Sequence, residues 1–154
     1  MTADNLHVVL FRLGGHEFAF DVFQVERILR FDPPVPIPEA PDFLEGVLPY
    51  GGSTIPVVDL RKRLGASAVR RDETRTVVLE WSDGRIALVV DAVTEVASIS
   101  ADRVAPPQGY VRGLAPRYVT GIISLGSRTV VLLNPTEILT STERLALESL
   151  GAPT

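Results

Sequence analysis

The chain has 154 residues, a formal net charge of -4, two histidines and no cysteine. That length suits one domain, or two small halves around a shared core. The lack of cysteine excludes disulfides and thiolate metal sites, and scattered basic residues on an acidic chain give no electrostatic footprint for nucleic acid.

No apolar run approaches the roughly 20 residues that a membrane helix needs. The opening stretch, MTADNLHVV, has no basic region ahead of its apolar residues and does not read as a signal peptide. The expectation is a soluble, cytoplasmic protein with no direct membrane insertion.

Leu6 to Leu13 reads as a strand, and Gly14-Gly15 as a two-residue hairpin turn. The return strand, Glu17 to Val22, places Phe18, Phe20 and Val22 on one face and Ala19 and Asp21 on the other. Phe23 to Arg30 mixes helical spacing with β-branched residues, so a helical turn running into a strand is expected. Pro33 to Pro41 cannot be helix and should be extended surface chain, packed along the fold rather than serving as a ligand for another domain.

A long hairpin follows, with Gly51-Gly52 at its turn. Asp59 should cap a short helical turn, Leu60 to Leu64, which Gly65 stops. Ala66 to Thr74 reads as a polar loop. Strands are expected at Arg75 to Trp81 and Arg85 to Asp91, around Ser82-Asp83-Gly84. Ala92 to Ala97 is a crossing segment, and Ser98 to Tyr118 is irregular. A second long hairpin closes at Asn134-Pro135-Thr136-Glu137, a capped helix start. Ser141 can cap a last helix over Thr142 to Leu150.

The chain repeats itself. At an offset of 75 residues, GVLPYGGSTIPVVDLRKRL (Gly46 to Leu64) lies over GIISLGSRTVVLLNPTEIL (Gly121 to Leu139). Gly46 falls on Gly121, Gly51 on Gly126, Thr54 on Thr129 and Asp59 on Asn134, with apolar positions in step. Further back, Phe18, Phe20 and Val22 fall on Ile86, Leu88 and Val90, and Val25 and Ile28 on Val93 and Val96. Each copy contains a hairpin, a crossing segment, a second hairpin and a capped turn. About five short strands per copy, separated by glycine turns, suggest small antiparallel barrels, whose closure removes exposed edges.

Residues for chemistry are scarce. His7 and His16 lack a second histidine or a cysteine at metal-binding spacing. No G-x-S-x-G elbow is present, and Gly51-Gly52 has no following Lys-Ser/Thr, so a hairpin turn explains it better than a phosphate loop. Asp91 and Glu95 do not pair as an acid and a base, and Asp59 and Asn134 read as caps. Trp81 ends a strand at the core edge, and the run Arg61, Lys62, Arg63, with Arg70 and Arg71, reads as a solvated helix end and loop. These features point to an interaction module: no enzyme, no cofactor and no metal.

Particular motifs carry a resemblance. Asp42-Phe43-Leu44-Glu45-Gly46-Val47 and Ile55-Pro56-Val57-Val58-Asp59-Leu60-Arg61 are followed by Val89-Val90-Asp91-x-Val93 with Glu95-Val96, then Tyr118-x-Thr120-Gly121, then Leu132-Leu133-Asn134. In these blocks, from about Val8 to Leu150, the chain resembles the CheW-like family of bacterial chemotaxis coupling proteins. The resemblance implies a mainly β fold of two intertwined five-stranded antiparallel barrels, Src-homology-3-like, with short helical turns and a C-terminal helix. One domain over 1–154 is expected, its repeated units at roughly 6–68 and 74–140 and its helix at 142–150. It also implies a non-catalytic scaffold that links the cytoplasmic tips of chemoreceptors to the regulatory domain of a CheA-like histidine kinase. The chain departs from the family pattern at two places. Pro49-Tyr50-Gly51-Gly52 replaces a typical Asn-Leu-Arg-Gly, and Arg27 replaces a typical Glu. The expected docking surface is therefore Val25, Arg27, Ile28, Tyr50, Gly51, Gly52 and Pro56, with a second face around Leu125 to Thr129.

Overall fold

The computed structural model describes residues 5–81, 84–106 and 118–138. The strands are β1 (Asn5–Leu13), β2 (His16–Asp21), β3 (Val25–Arg30), β4 (Leu44–Tyr50), β5 (Ser53–Asp59), β6 (Arg75–Trp81), β7 (Gly84–Val90), β8 (Ala92–Ser100), β9 (Val104–Ala105), β10 (Val119–Leu125) and β11 (Arg128–Leu133). A single turn of helix, α1 (Leu60–Arg63), follows β5, and three-residue 3-10 turns occupy Val22–Gln24, Ala101–Arg103 and Pro135–Glu137. Phe23 to Arg30 is thus the expected helical turn leading into a strand. Asp59 and Asn134 are caps as expected, accepting hydrogen bonds from the Arg61 and Thr136 amides respectively. The expected helix at 142–150 lies outside the described residues.

The strands form two sheets, ordered β8-β1-β2-β11-β10-β9 and β3-β6-β7-β5-β4. Neither sheet is built from one copy of the repeat. The first hairpin of each copy pairs with strands of the other: β1 with β8 and β2 with β11, β6 with β3 and β7 with β5. The boundaries near 68 and 74 therefore separate the sequence copies but not the sheets.

The observed pairing corrects three expectations. The pairings β2–β11 and β5–β7 are parallel, which strands from different copies can be because no hairpin joins them, whereas the other two cross-copy pairs, β1–β8 and β3–β6, are antiparallel. The first sheet has six strands, since β9 adds a short partner to β10. The crossing strand β8 also runs to Ser100, past its expected end at Ala97, because Asn5, Leu6 and His7 of β1 supply partners there.

Repeat symmetry reaches the register. Ala19 faces Leu132 across one parallel ladder, and Ala87 faces Val57 across the other. All four main irregularities come in repeat-related pairs. Register shifts leave Glu26 and Thr94 as extra residues on the crossing strands, and Glu45 and Thr120 on the long hairpins. Next to the latter two stand Gly46 and Gly121. A Cβ on Gly46, where φ is +149°, would meet the Val35 carbonyl oxygen at 2.3 Å; one on Gly121 would meet Val104 Cγ1 at 2.9 Å. The close neighbour at Gly46 is the proline-rich segment, which bridges Val35 to Val47 by two backbone hydrogen bonds of 2.9 Å and, rather than staying extended as expected, turns at Pro38–Glu39, where the Ala40 amide donates to the Ile37 carbonyl at 3.2 Å.

Three apolar clusters follow from strand alternation. The largest lies between the sheets and takes Phe11, Phe18 and Phe20 from the first and Val58, Leu79, Trp81 and Leu88 from the second. The Phe11 ring stacks on Phe20 at 4.7 Å and on Phe18 at 6.0 Å. Each sheet also encloses its own smaller core: Val8, Leu10, Ala19, Ile123 and Val130 in one, Ile55, Val57, Val78, Ala87 and Val89 in the other. Ala19 was expected on a face opposite the core; it is buried because β2 is interior and both of its faces are covered.

Candidate docking surface

The β3 segment and the β4–β5 turn, which carry the expected docking residues, lie on opposite edges of the second sheet. The structure nevertheless brings them together. Tyr50 Oη donates to Glu26 Oε2 at 2.8 Å, and Arg85 Nε donates to Glu26 Oε1 at 2.6 Å. The Arg85 guanidinium also lies 5.7 Å from the centre of the Tyr50 ring. The sheet thus curls until side chains from its two edge strands touch. The bulge supplies the geometry, because Glu26 is the unpaired extra residue of β3.

Arg27, Ile28, Gly51 and Gly52 are exposed around this link, and Tyr50 and Pro56 are half-buried. Val25 packs against the central core and contributes least to the surface. The Gly51-Gly52 turn has φ of +57° and +85°, with open space around both, so glycine is there for its backbone freedom. The Arg85 hydrogen bond and then that of Tyr50 hold the Glu26 carboxyl below its ordinary pKa, and Glu26 in turn raises that of the Tyr50 hydroxyl. Glu26 and Arg85 are the members that sequence reasoning missed. They are 59 positions apart, and no local pattern links them.

The second face has a related arrangement. Arg128, beside the β10–β11 turn, grips Glu17 through Nε at 2.9 Å and through a terminal nitrogen at 2.6 Å, and stands 3.9 Å from Glu95. Its hydrogen bond to Glu17 lowers that carboxyl's pKa. Glu95 is the repeat counterpart of Arg27.

The basic run does not stay together as one solvated surface. Arg61 is only 2 % exposed. Its Nε and one terminal nitrogen each donate to Asp59 at 3.0 Å. Its other terminal nitrogen reaches the Val69 carbonyl at 3.0 Å and Asp91 at 3.4 Å, while the Gly14 amide donates to the same Asp91 carboxylate at 2.8 Å. Burial acts to lower the Arg61 pKa, but the hydrogen bonds and charges of Asp59 and then Asp91 outweigh it and raise the pKa. Asp59, Arg61 and Asp91 therefore tie α1, the following loop and the first hairpin into one framework. Lys62 meets Glu45 at the surface, and Arg63 donates to the Ile138 carbonyl.

The fold is that of a mainly β module, and the candidate docking surface on it is assembled from strands distant in sequence. Comparison with known proteins gives the family. The model of the CheW-like domain matches residues 7–143, and the chain belongs to that family. It is 32% identical over 144 residues to the chemotaxis protein CheW of Klebsiella aerogenes, covering 93% of this chain and 87% of that one. It is 26% identical over 147 residues to CheW of Rhizobium meliloti, covering 95% of each. The crystal structure of the scaffolding protein TtCheW from Thermoanaerobacter tengcongensis superposes with a TM-score of 0.84 at 26% identity, over 91% of this chain and 96% of that one. The chain is accordingly a non-catalytic scaffold of the chemotaxis type, with the family's two-sheet, Src-homology-3-like fold. No helix among the described residues is long and apolar enough to cross a membrane.

Proposed function

We propose that the chain couples chemoreceptors to a CheA-like sensor histidine kinase, docking on the kinase's regulatory domain and on the receptor's cytoplasmic tip. The observation that carries this reading is the family match across residues 7–143. In this reading the chain is one cytoplasmic domain over 1–154, its sheets closing as two barrels. Partner contacts fall to Arg27, Ile28, Tyr50, Gly51, Gly52 and Pro56, with Val25 supporting them from behind. The test is calorimetry of the full chain with the regulatory domain of a histidine kinase from the same organism, at two salt concentrations. Saturable binding that weakens with salt is expected, since charge complementarity sets partner choice at such faces. Absence of binding to every such kinase would overturn the reading.

A second reading is a CheW-like scaffold or decoy for a two-component pathway outside chemosensory arrays. It is favoured by Gly51 and Arg27, two departures in charge that flank the single Tyr50–Glu26 hydrogen bond. Under it, Gly51→Arg with Arg27→Glu creates binding to a typical kinase regulatory domain that the parent lacks. An unchanged lack of binding in the double variant counts against it.

A further inference from the structure

The second sheet carries another polar site, at the far end of β3 from the candidate docking face. Arg30 and Glu26 are four residues apart on that strand, roughly 13 Å at the usual rise. Around Arg30 lies a cleft of about 500 Å³ lined by Arg30, Phe31, Asp32, Arg70, Arg71, Asp72, Thr74 and Arg75. Its volume is within the range of small-molecule sites.

Arg61, Lys62, Arg85 and Arg128 each pair with a carboxylate. Among the described residues, none of the four cleft arginines forms an ion pair, although Asp32 and Asp72 line the same space. Among the described residues Arg12, Arg27 and Arg103 also form no ion pair, but only this cleft gathers four such arginines around one space. Arg30 and Arg75 are moreover direct cross-strand partners in the β3–β6 ladder. Like charges placed opposite each other destabilise a sheet.

The scaffold around them is ordered. Arg75 donates to the Asp72 and Thr74 carbonyls at 2.8 and 3.0 Å. The buried Thr74 hydroxyl accepts from the Arg71 amide at 2.8 Å, and Phe31 supports the Arg70 guanidinium at 5.2 Å. Guanidinium groups lining a concave space suit the oxygens of phosphate, with which arginine forms paired, charge-assisted hydrogen bonds. A long polyanion fits less well, because the chain as a whole carries a net charge of -4 and the arginines line a cleft rather than a stripe.

We propose that this cleft binds a compact phosphate-bearing small molecule with at least two negative charges, independently of the scaffold function. The experiment is calorimetry and thermal melting of the full chain with sodium pyrophosphate, ADP and a hexaglutamate peptide, in parent and in Arg30→Ala/Arg71→Ala. Both substituted side chains are exposed, and a matching circular dichroism spectrum would show the variant folded. Saturable one-to-one pyrophosphate binding that raises the melting temperature is expected, with affinity falling about tenfold or more in the variant. Equal affinity for ADP would show that the phosphates alone are read; tighter ADP binding would add a contact to its nucleoside. The proposal is overturned if pyrophosphate does not saturate, if the folded variant binds undiminished, or if hexaglutamate binds as tightly.

Discussion

Replacing Arg61 with Ala would leave Asp59, itself 6 % exposed, and Asp91 without the cation that faces them both. Breaking a buried pair from one side costs about 3–5 kcal/mol, because the remaining charge stays desolvated. Urea denaturation of Arg61→Ala should show a loss in that range, whereas Lys62→Ala, which removes a surface pair with Glu45, should lose less than about 1 kcal/mol. Equal losses would show that the Arg61 network adds nothing beyond a surface contact. The pH dependence at Glu17 follows from Arg128, whose hydrogen bond lowers the glutamate pKa below about 4.5 on folding. The unfolded state then binds protons first as pH falls, so the stabilisation is complete above that value and disappears as pH drops through the folded pKa. Urea midpoints of the parent and Glu17→Gln should therefore differ at pH 6 and converge in acid; a gap that widened in acid would contradict this. The sequence shows Asp59 as a cap but hides Arg61 as its buried partner, because a run of three basic residues looks the same whether one of them turns inward or not.

Among the elements, the long hairpins make the sharpest comparison. Gly46 sits at positive φ against a backbone carbonyl that cannot rotate away, whereas the nearest neighbour of Gly121 is a valine side-chain methyl. Gly51 has positive φ but open space. Gly46→Ala should accordingly lose the most stability, roughly 3 kcal/mol or more from strain and forced backbone movement, and Gly51→Ala about 1–2 kcal/mol from the left-handed backbone alone. Thermal melting of the two variants would check the order, and a Gly51→Ala loss equal to or above that of Gly46→Ala would refute it. The alignment of Gly46 with Gly121 is legible in the sequence, and so are the hairpins, the caps and the turn-then-strand at Phe23 to Arg30. The bulges beside the two glycines are not, because a bulge is a relation between two strands and each sequence window contains only one. For the same reason Glu26 and Arg85 stayed hidden at the candidate docking face while Tyr50 and Arg27, marked by departures from a family pattern, did not.

At the scale of the whole molecule, the repeat makes two copies of one unit, but pairing makes them inseparable. Asn5 pairs with Ser100, and β6 and β7 complete the sheet of β3, β4 and β5. A chain cut between the copies would leave β1 and β2 without their β8 and β11 partners, and a two-stranded hairpin is marginal in water. The central core would be divided as well, since Phe11 and Phe20 come from the first copy and Leu79 and Leu88 from the second. We expect residues 1–70 expressed alone to lack dispersed amide signals in an NMR spectrum, and residues 71–154 likewise. Mixing the two fragments should restore the dispersion, because every interstrand pairing is then available. A fragment that folded alone would mean that one copy can satisfy its own edges, and the exchanged pairing would not be what holds the fold together. The same long-range pairing predicts folding of the intact chain in milliseconds to seconds, as expected where sheet contacts must close long loops before any stabilisation is gained.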